Sequence, residues 1–484
     1  MTRPDRFRVR DFRTGRLQAN RPASRNNTFP IPFPTPNRAM RPRSGRTRKA
    51  KPMAIHPQHT HTRSLTILVF LLALLLPLFL SGCARTLVPA PNLYQLGANP
   101  YQQTPEAMQF SGVDVVFATD RLATDDKRPG RAYGYKRSNT LSVGIARVGF
   151  GNDSTWDQLV DVSTGASKRK LPLRILSAEE IFEFPPTAGY SINQPEFAEH
   201  FAQSQQALDD LIADYLQRSG GDSAYVFVHG FNNGFDDSIY AIAQIWHFLG
   251  RTGVPIAYSW PAGRGTLRGY AYDRESGEFT NFHLKLFLRS LAASPSIRRI
   301  HVIGHSRGTD VLTTALRELA IEAGCNDQKL SDTIKLGHLV LAAPDMDFQV
   351  MAQRLGAESL QLQPLKTTVY LNPEDKALGL ASLLFLSEKR LGRVTAKDLS
   401  PKQIELIHRL NDRAAYIDTY VKGGFIGHSY FYANPAVLSD LILLLRDDAW
   451  VDDPRRPLES TEHGMWILRN NYPQYPTPTT STQP

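Results

Sequence analysis

The chain has 484 residues, 42% of them hydrophobic, enough for one sizeable core with appendages. Its formal charge of +10 is concentrated in residues 1–52, which carry 15 Lys/Arg against 2 Asp/Glu, and the chain after residue 82 sums to −4. That distribution, with no basic stripe interleaved with aromatics and no zinc-finger spacing, excludes nucleic-acid binding by the body, and two cysteines, Cys83 and Cys325, exclude a disulfide framework.

Residues 1–52 are rich in Arg, Pro and Asn and show almost no apolar periodicity, so they cannot offset the entropy of ordering. They read either as a disordered basic extension or as sequence upstream of a true start at Met53. Residues 53–82 have the layout of a secretory signal: a basic approach, the uncharged apolar run Leu65–Leu80, then small residues. The run ends in Leu80-Ser81-Gly82-Cys83, which resembles the lipobox of bacterial lipoproteins. That resemblance implies cleavage before Cys83, acyl chains on Cys83 and attachment to a membrane, because two or three acyl chains bind durably where one does not. The sorting rule that this resemblance brings, in which Asp at position 84 would favour the inner membrane, makes Ala84 lean towards an outer-membrane or periplasmic location in the cell envelope. Residues 83–107, with their Pro, Asn and Gln, read as a tether from the lipid to the body.

The body is expected over 108–450. Strand-like runs open it at Val113–Ala118, Leu141–Ala146 and Glu180–Phe184. Pro195 to Tyr215 has the stripe of an amphipathic helix, with Phe197, Phe201, Leu208, Leu211, Ile212 and Tyr215 on one face. From there strand and helix alternate. Strands are expected at Tyr225–Val228, Pro255–Ser259, Arg299–Ile303, Leu336–Ala342, Thr367–Leu371 and Tyr416–Val421. Helices are expected at Ser238–Gly250, His283–Ala292 and Thr309–Ala323. Such alternation argues for an α/β fold with a mostly parallel central sheet and helices on both faces. Residues 451–484 read as a C-terminal extension with a disordered tail from 472 onwards.

The chemistry centres on Gly304-His305-Ser306-Arg307-Gly308, a G-x-S-x-G sequence between an apolar strand and an amphipathic helix. The glycines are needed because a sharp strand-to-helix turn leaves the serine in a strained conformation against crowded neighbours. The serine oxygen then stands at a helix N-terminus, where the dipole favours a developing negative charge. Chance gives this pattern roughly 0.16 times in a chain this long, so its strand-to-helix context carries the weight. His229-Gly230-Phe231-Asn232 follows the strand Tyr225–Val228, the place for a loop completing an oxyanion hole from the backbone N–H groups of Phe231 and Arg307.

In chain order the acid follows the serine and the histidine comes last. Asp375, in Leu371-Asn-Pro-Glu-Asp-Lys376, follows the second strand after Ser306 and is the first choice; Asp345, Asp347 and Glu374 are its rivals. The histidines beyond Asp375 are His408, His428 and His463. His428 lies in a glycine-rich loop after the last expected strand, whereas His408 sits in a charged helical pattern and His463 near the tail. His428 is therefore the expected general base, with Asp375 fixing its tautomer. Tyr270, Tyr272 and Asp273 either line the site or pack, with packing the more ordinary role. Leu378–Leu386 reads as a core helix or as a wall of an acyl pocket. No dinucleotide or P-loop fingerprint is present, and no cofactor or metal is expected.

Gly304–Thr309, Phe227–Asn233, Tyr258-Ser-Trp-Pro261, Ala342–Asp347 and Gly427-His-Ser-Tyr430 together resemble a bacterial family of α/β-hydrolases of unknown function, loosely esterase- or lipase-like. The resemblance spans roughly 110–445 and includes Val113–Arg121, ending Ala-Thr-Asp-Arg. It implies the α/β-hydrolase fold and a Ser-Asp-His triad, here Ser306, Asp375 and His428. The expected activity is serine-dependent hydrolysis of an ester or related acyl bond in a small or lipid-like substrate. The competing class is a binding or scaffold lipoprotein on the same fold.

Overall fold

The computed structural model describes residues 85–188, 194–351, 366–379, 389–421 and 428–475. The leader, Cys83, residues 380–386 of the expected pocket wall and the glycines before His428 lie outside the described residues. Among the described residues no helix is long and apolar enough to cross a membrane.

The first three strands form an antiparallel meander, β1 (Gly112–Ala123), β2 (Tyr133–Phe150) and β3 (Leu173–Glu183), with the short helix α1 (Trp156–Ser163) between β2 and β3. Each strand is longer than its apolar run. Helix α2 (Pro195–Ser219) then leads into the alternating part: β4 (Ser223–Val228), α3 (Phe235–Phe248), β5 (Val254–Ser259), α4 (Thr266–Ala293), β6 (Arg299–His305), α5 (Gly308–Cys325), β7 (Leu336–Ala342), β8 (Lys366–Leu371), α6 (Pro401–Leu410), β9 (Ala414–Tyr420) and α7 (Pro435–Leu445). Two short strands, β10 (Glu459–Ser460) and β11 (Trp466–Arg469), close the chain.

All belong to one 11-stranded sheet in the order β10-β11-β9-β8-β7-β6-β4-β5-β1-β2-β3. Every neighbouring pair from β1 across to β11 is parallel. β4 and β5 are buried over their whole length, as parallel strands covered by helices on both faces must be. Helix α4 contacts both α2 and α5, and α3 contacts α7, so the helices form two separate layers. The chain leaves β4 to one side to make β5 and returns to its other side to make β6. The crevice at the carboxyl ends of β4 and β6 is therefore a topological switch point, the usual ligand position in open α/β sheets.

Three expectations need correction. Residues 85–107 are no loose tether: Leu87, Leu93, Tyr94 and Tyr101 are buried, Leu87 N donates to Leu171 O at 2.8 Å, and Leu93 N donates to Ser439 Oγ at 3.0 Å. Widely spaced apolar side chains, each with its own recess, do this without any periodicity. The segment 451–475 is part of the body, because β11 extends the sheet beside β9 and Arg456 makes a bidentate pair with Asp440, both side chains fully buried. Helix α4 starts 17 residues before the expected His283, at Thr266.

Candidate active site

β6 delivers Ser306 into the turn that starts α5. Ser306 has φ +53°, the left-handed region that costs a non-glycine residue energy and is tolerated where surrounding structure fixes it. Its N–H donates to Ala342 O at 3.0 Å, and its carbonyl accepts from Thr309 Oγ1 at 2.6 Å and Asp345 N at 3.2 Å. A Cβ on Gly308 would lie 2.3 Å from His229 O, and one on Gly304 would lie 3.1 Å from Thr309 Cα. The glycines of G-x-S-x-G are thus required by backbone packed against them.

The turn after β4 lies against this elbow. Asn232 also has a positive φ, +55°. The Gly230 N–H donates to Asn233 Oδ1 at 3.1 Å and the Asn232 N–H to Asp273 Oδ2 at 3.0 Å. Between them, the Phe231 N–H makes no hydrogen bond among the described residues, nor does the Arg307 N–H after the serine. Those are the two donors expected of an oxyanion hole, and on either side of Phe231 the side chains of Asn233 and Asp273 occupy the neighbouring N–H groups. The ring of His229 stacks on Trp260 with centroids 5.1 Å apart, and Trp260 Nε1 donates to His229 O at 2.7 Å. Burial and the Arg121 guanidinium keep His229 neutral, far below the usual range.

Asp375 follows β8 and is fully buried, and its Oδ1 accepts from Leu378 N at 3.1 Å. Its Oδ2 faces His428 Nδ1 at 2.8 Å. Burial works against protonation of His428, but the hydrogen bond and charge of Asp375, with the charge of Asp345, outweigh it and raise the imidazole above its ordinary 6.5. His305 links this pair to the elbow. Its ring lies 4.8 Å from that of His428, and its Nε2 faces the His428 carbonyl at 3.1 Å. Burial and the neighbouring His428 keep His305 neutral, and since a carbonyl only accepts, Nε2 carries the proton. No hydrogen bond joins Ser306 Oγ to His428 among the described residues; catalytic hydrogen bonds of this kind commonly close only as substrate binds.

The rival groups sit otherwise. The Asp345 carboxylate lies 3.3 Å from Arg390 Nε, and Asp347 caps the backbone N–H groups of Gln349 and Val350. Glu374 is exposed; His408 Nε2 faces Glu462 O at 3.1 Å, and His463 lies beside Glu462. Arg307 pairs with Asp310 at 2.7 Å. The Tyr270 ring lies 5.3 Å from that of Phe231, so the start of α4 forms a wall of the site, and Asp273 holds the turn. The sequence leaves Tyr270 and Asp273 open between lining the site and packing, with packing the more ordinary role, and marks neither His305 nor Arg121 as a site residue. The x position of G-x-S-x-G was the available signal for His305. Among the described residues no cluster of His, Cys, Asp or Glu is arranged to hold a metal ion.

The arrangement offers a hydroxyl at a helix N-terminus, an imidazole oriented by a buried carboxylate, and two unclaimed N–H donors. Together these suit nucleophilic attack on a carbonyl carbon. The family model described as an alpha/beta hydrolase of unknown function (DUF900) matches residues 204–446, a span that contains all of these groups. No curated protein matches the chain.

Proposed function

The chain belongs to the alpha/beta hydrolases of unknown function, and from that premise we propose that it is a serine hydrolase acting through an acyl-Ser306 intermediate. The observation that carries this reading is the 2.8 Å contact between His428 and the buried Asp375, beside a serine held at φ +53°. His428 takes the Ser306 proton as Oγ attacks the substrate carbonyl. The oxyanion is held by the N–H groups of Phe231 and Arg307, and collapse expels the leaving group with the proton returned by His428. Water, deprotonated by the same imidazole, then releases the acid. Asp375 keeps the proton of neutral His428 on Nδ1 and stabilises the imidazolium. A fluorophosphonate probe tests this directly: labelling of the folded wild type and none of Ser306→Ala is expected. Unlabelled wild type would favour a binding lipoprotein on a retired hydrolase fold.

The substrate class within this reading is a carboxylic ester with an apolar acyl group. The Phe231 and Tyr270 rings beside the oxyanion turn, and the apolar sequence that begins at the buried Leu378, support it. A panel of p-nitrophenyl esters from short to long acyl chains, run beside amide and thioester analogues, decides; preference for amides overturns the ester assignment alone.

The same reading places the protein at a membrane by lipid on Cys83, supported by the Leu80–Cys83 sequence at the end of the apolar run. Intact mass of the mature N-terminus tests it: a diacyl or triacyl Cys83 is expected, and a free terminus elsewhere refutes it.

A further inference from the structure

The oxyanion turn is braced by a side chain that the proposed chemistry does not use and that lies outside residues 204–446. Arg121, near the end of β1, is only 2% exposed. Its Nε donates to Ser259 Oγ at 2.9 Å, and its Nη1 donates to Gly134 O at 2.9 Å and Ala262 O at 2.7 Å. Its Nη2 donates to Asn233 O at 2.8 Å and to His229 Nε2 at 3.1 Å. A guanidinium has five N–H donors, so each one is placed. Every acceptor is neutral, and Arg121 pairs with no carboxylate among the described residues. Burial lowers its pKa only to about 10, so it is cationic at neutral pH. A buried cation that touches no carboxylate directly, offset only by the charges of Asp120, Asp273, Asp237 and Asp236 nearby, is expensive, and packing alone would be served better by an apolar side chain. The contacts with His229 and Asn233 fall on either side of Phe231, whose N–H is unclaimed.

We infer that Arg121 is a positioning residue for the oxyanion turn: it fixes His229 and Asn233 so that the Phe231 N–H is held ready for the oxyanion formed at Ser306. This rests on the serine-hydrolase reading above. Fixed donors and charges aimed at a developing oxyanion act mainly on the transition state, so their loss appears in kcat more than in KM.

The test uses the full-length chain with Arg121→Lys and Arg121→Gln. Lysine keeps the charge but not the fork of donors, and glutamine keeps neither. The expected result is kcat lowered about 10-fold by lysine, which keeps the charge, and about 10²-fold by glutamine, the lower end for loss of one oxyanion donor, with KM changed less than about threefold. Affinity for a trifluoromethyl ketone, whose Ser306 adduct carries the oxyanion, should fall in parallel with kcat. Folded variants with unchanged kcat, or with lowered kcat but unchanged ketone affinity, overturn the inference. Should both Arg121 variants fail to fold, Ser259→Ala decides, since it removes only the Nε acceptor. A fall in kcat and ketone affinity of roughly threefold is then expected, and no change overturns the role. Wild type unlabelled by fluorophosphonate sinks the hydrolase reading and this inference with it; labelled wild type beside an unaffected Arg121→Lys sinks only the role of Arg121.

Discussion

Gly230 lies directly against Ser306: a Cβ added there would come within 2.7 Å of Ser306 Cβ and 3.1 Å of His305 O. The reverse contact is equally tight, since a Cβ on Gly308 would meet His229 O at 2.3 Å and Val228 O at 2.4 Å. The nucleophile turn and the turn after β4 therefore interlock through two glycines on facing loops. The approach of Ser306 to the turn that carries Phe231 is limited by close packing at these two glycines.

Adding one methyl at either glycine should separate the two loops. Gly230→Ala is expected to cost about 1–3 kcal/mol of stability through overpacking and about 10²-fold in kcat through the displaced oxyanion donor. Gly308→Ala should cost more stability, because the clash is with backbone carbonyls that cannot rotate away. Urea unfolding and ester kinetics on the two variants check this; a Gly230→Ala enzyme with wild-type kcat would break the link between the loops.

The two aspartates near His428 should separate cleanly. Asp375→Asn is expected to lower kcat about 10⁴-fold by selecting the wrong tautomer, with the fold retained. Asp345→Asn should be far milder, since that carboxylate faces Arg390. The pH profile carries a second signature. The working base is neutral His428, whose pKa lies above 6.5, so kcat/KM should rise with pH to a midpoint above that value. Removing the Asp345 charge should move the midpoint down while leaving turnover largely intact. A crippled Asp345→Asn beside a healthy Asp375→Asn would reverse the assignment of the acid.

Far from the site, His301 and His338 stack with centroids 5.3 Å apart. Burial holds both neutral, lowering them to about 3 and about 4 from 6.5. The unfolded chain takes up these protons first as pH falls below 6.5. Their contribution is therefore complete above 6.5 and is lost on acidification towards 4 and 3, by about 1.4 kcal/mol per pH unit for each group. Asp418 acts in the opposite sense. Burial, with the charge of Asp398, raises it from 3.8 to about 6, so its contribution is present below 3.8 and lost as pH rises through 6. Acidification from 6 to 4 should still destabilise the protein, because these two histidines are joined by His229, His247 and His305, also held neutral by burial, against the raised Asp418, Asp236 and Asp273. His338→Gln should flatten the curve of unfolding free energy against pH by about one proton; parallel curves for variant and wild type would refute the account.

The C-terminal segment should prove indispensable. Arg456 and Asp440 are fully buried partners, and Tyr370 on β8 donates to the same carboxylate at 2.6 Å. Arg456→Met leaves Asp440 buried without its cation and should cost about 3–5 kcal/mol. A chain ending at residue 450 loses β11 as well and should fail to give a cooperative thermal transition.

The parallel core was readable because each of its strands is a short apolar run between turn residues, and the elbow because close backbone approach demands glycine. The chain order of Ser306, Asp375 and His428 similarly narrowed the candidate site. Other parts left weaker marks. The first half of α4 carries Gly269 and Gly277 among Arg, Tyr, Asp and Glu, so its helical stripe is faint although Tyr270 and Asp273 serve the site. β11 is four residues long, and its identity as a strand depends on β9, a partner distant in sequence. Arg121, beyond the expected strand Val113–Ala118, carries no mark of its role because its acceptors are backbone carbonyls and side chains from segments far apart in the chain.

The packing of the N-terminal segment also changes what an acyl group on Cys83 would accomplish. The backbone is fastened at Leu87 through Leu171, and Arg85 pairs with Asp236 and Asp237. Leu87 lies four residue steps beyond Cys83, a leash of at most about 14 Å. On so short a leash the enzyme could not sweep the space above the bilayer. It would stand close to the headgroups on one fixed flank, and substrates would be selected by the height and angle at which the membrane offers them to the site.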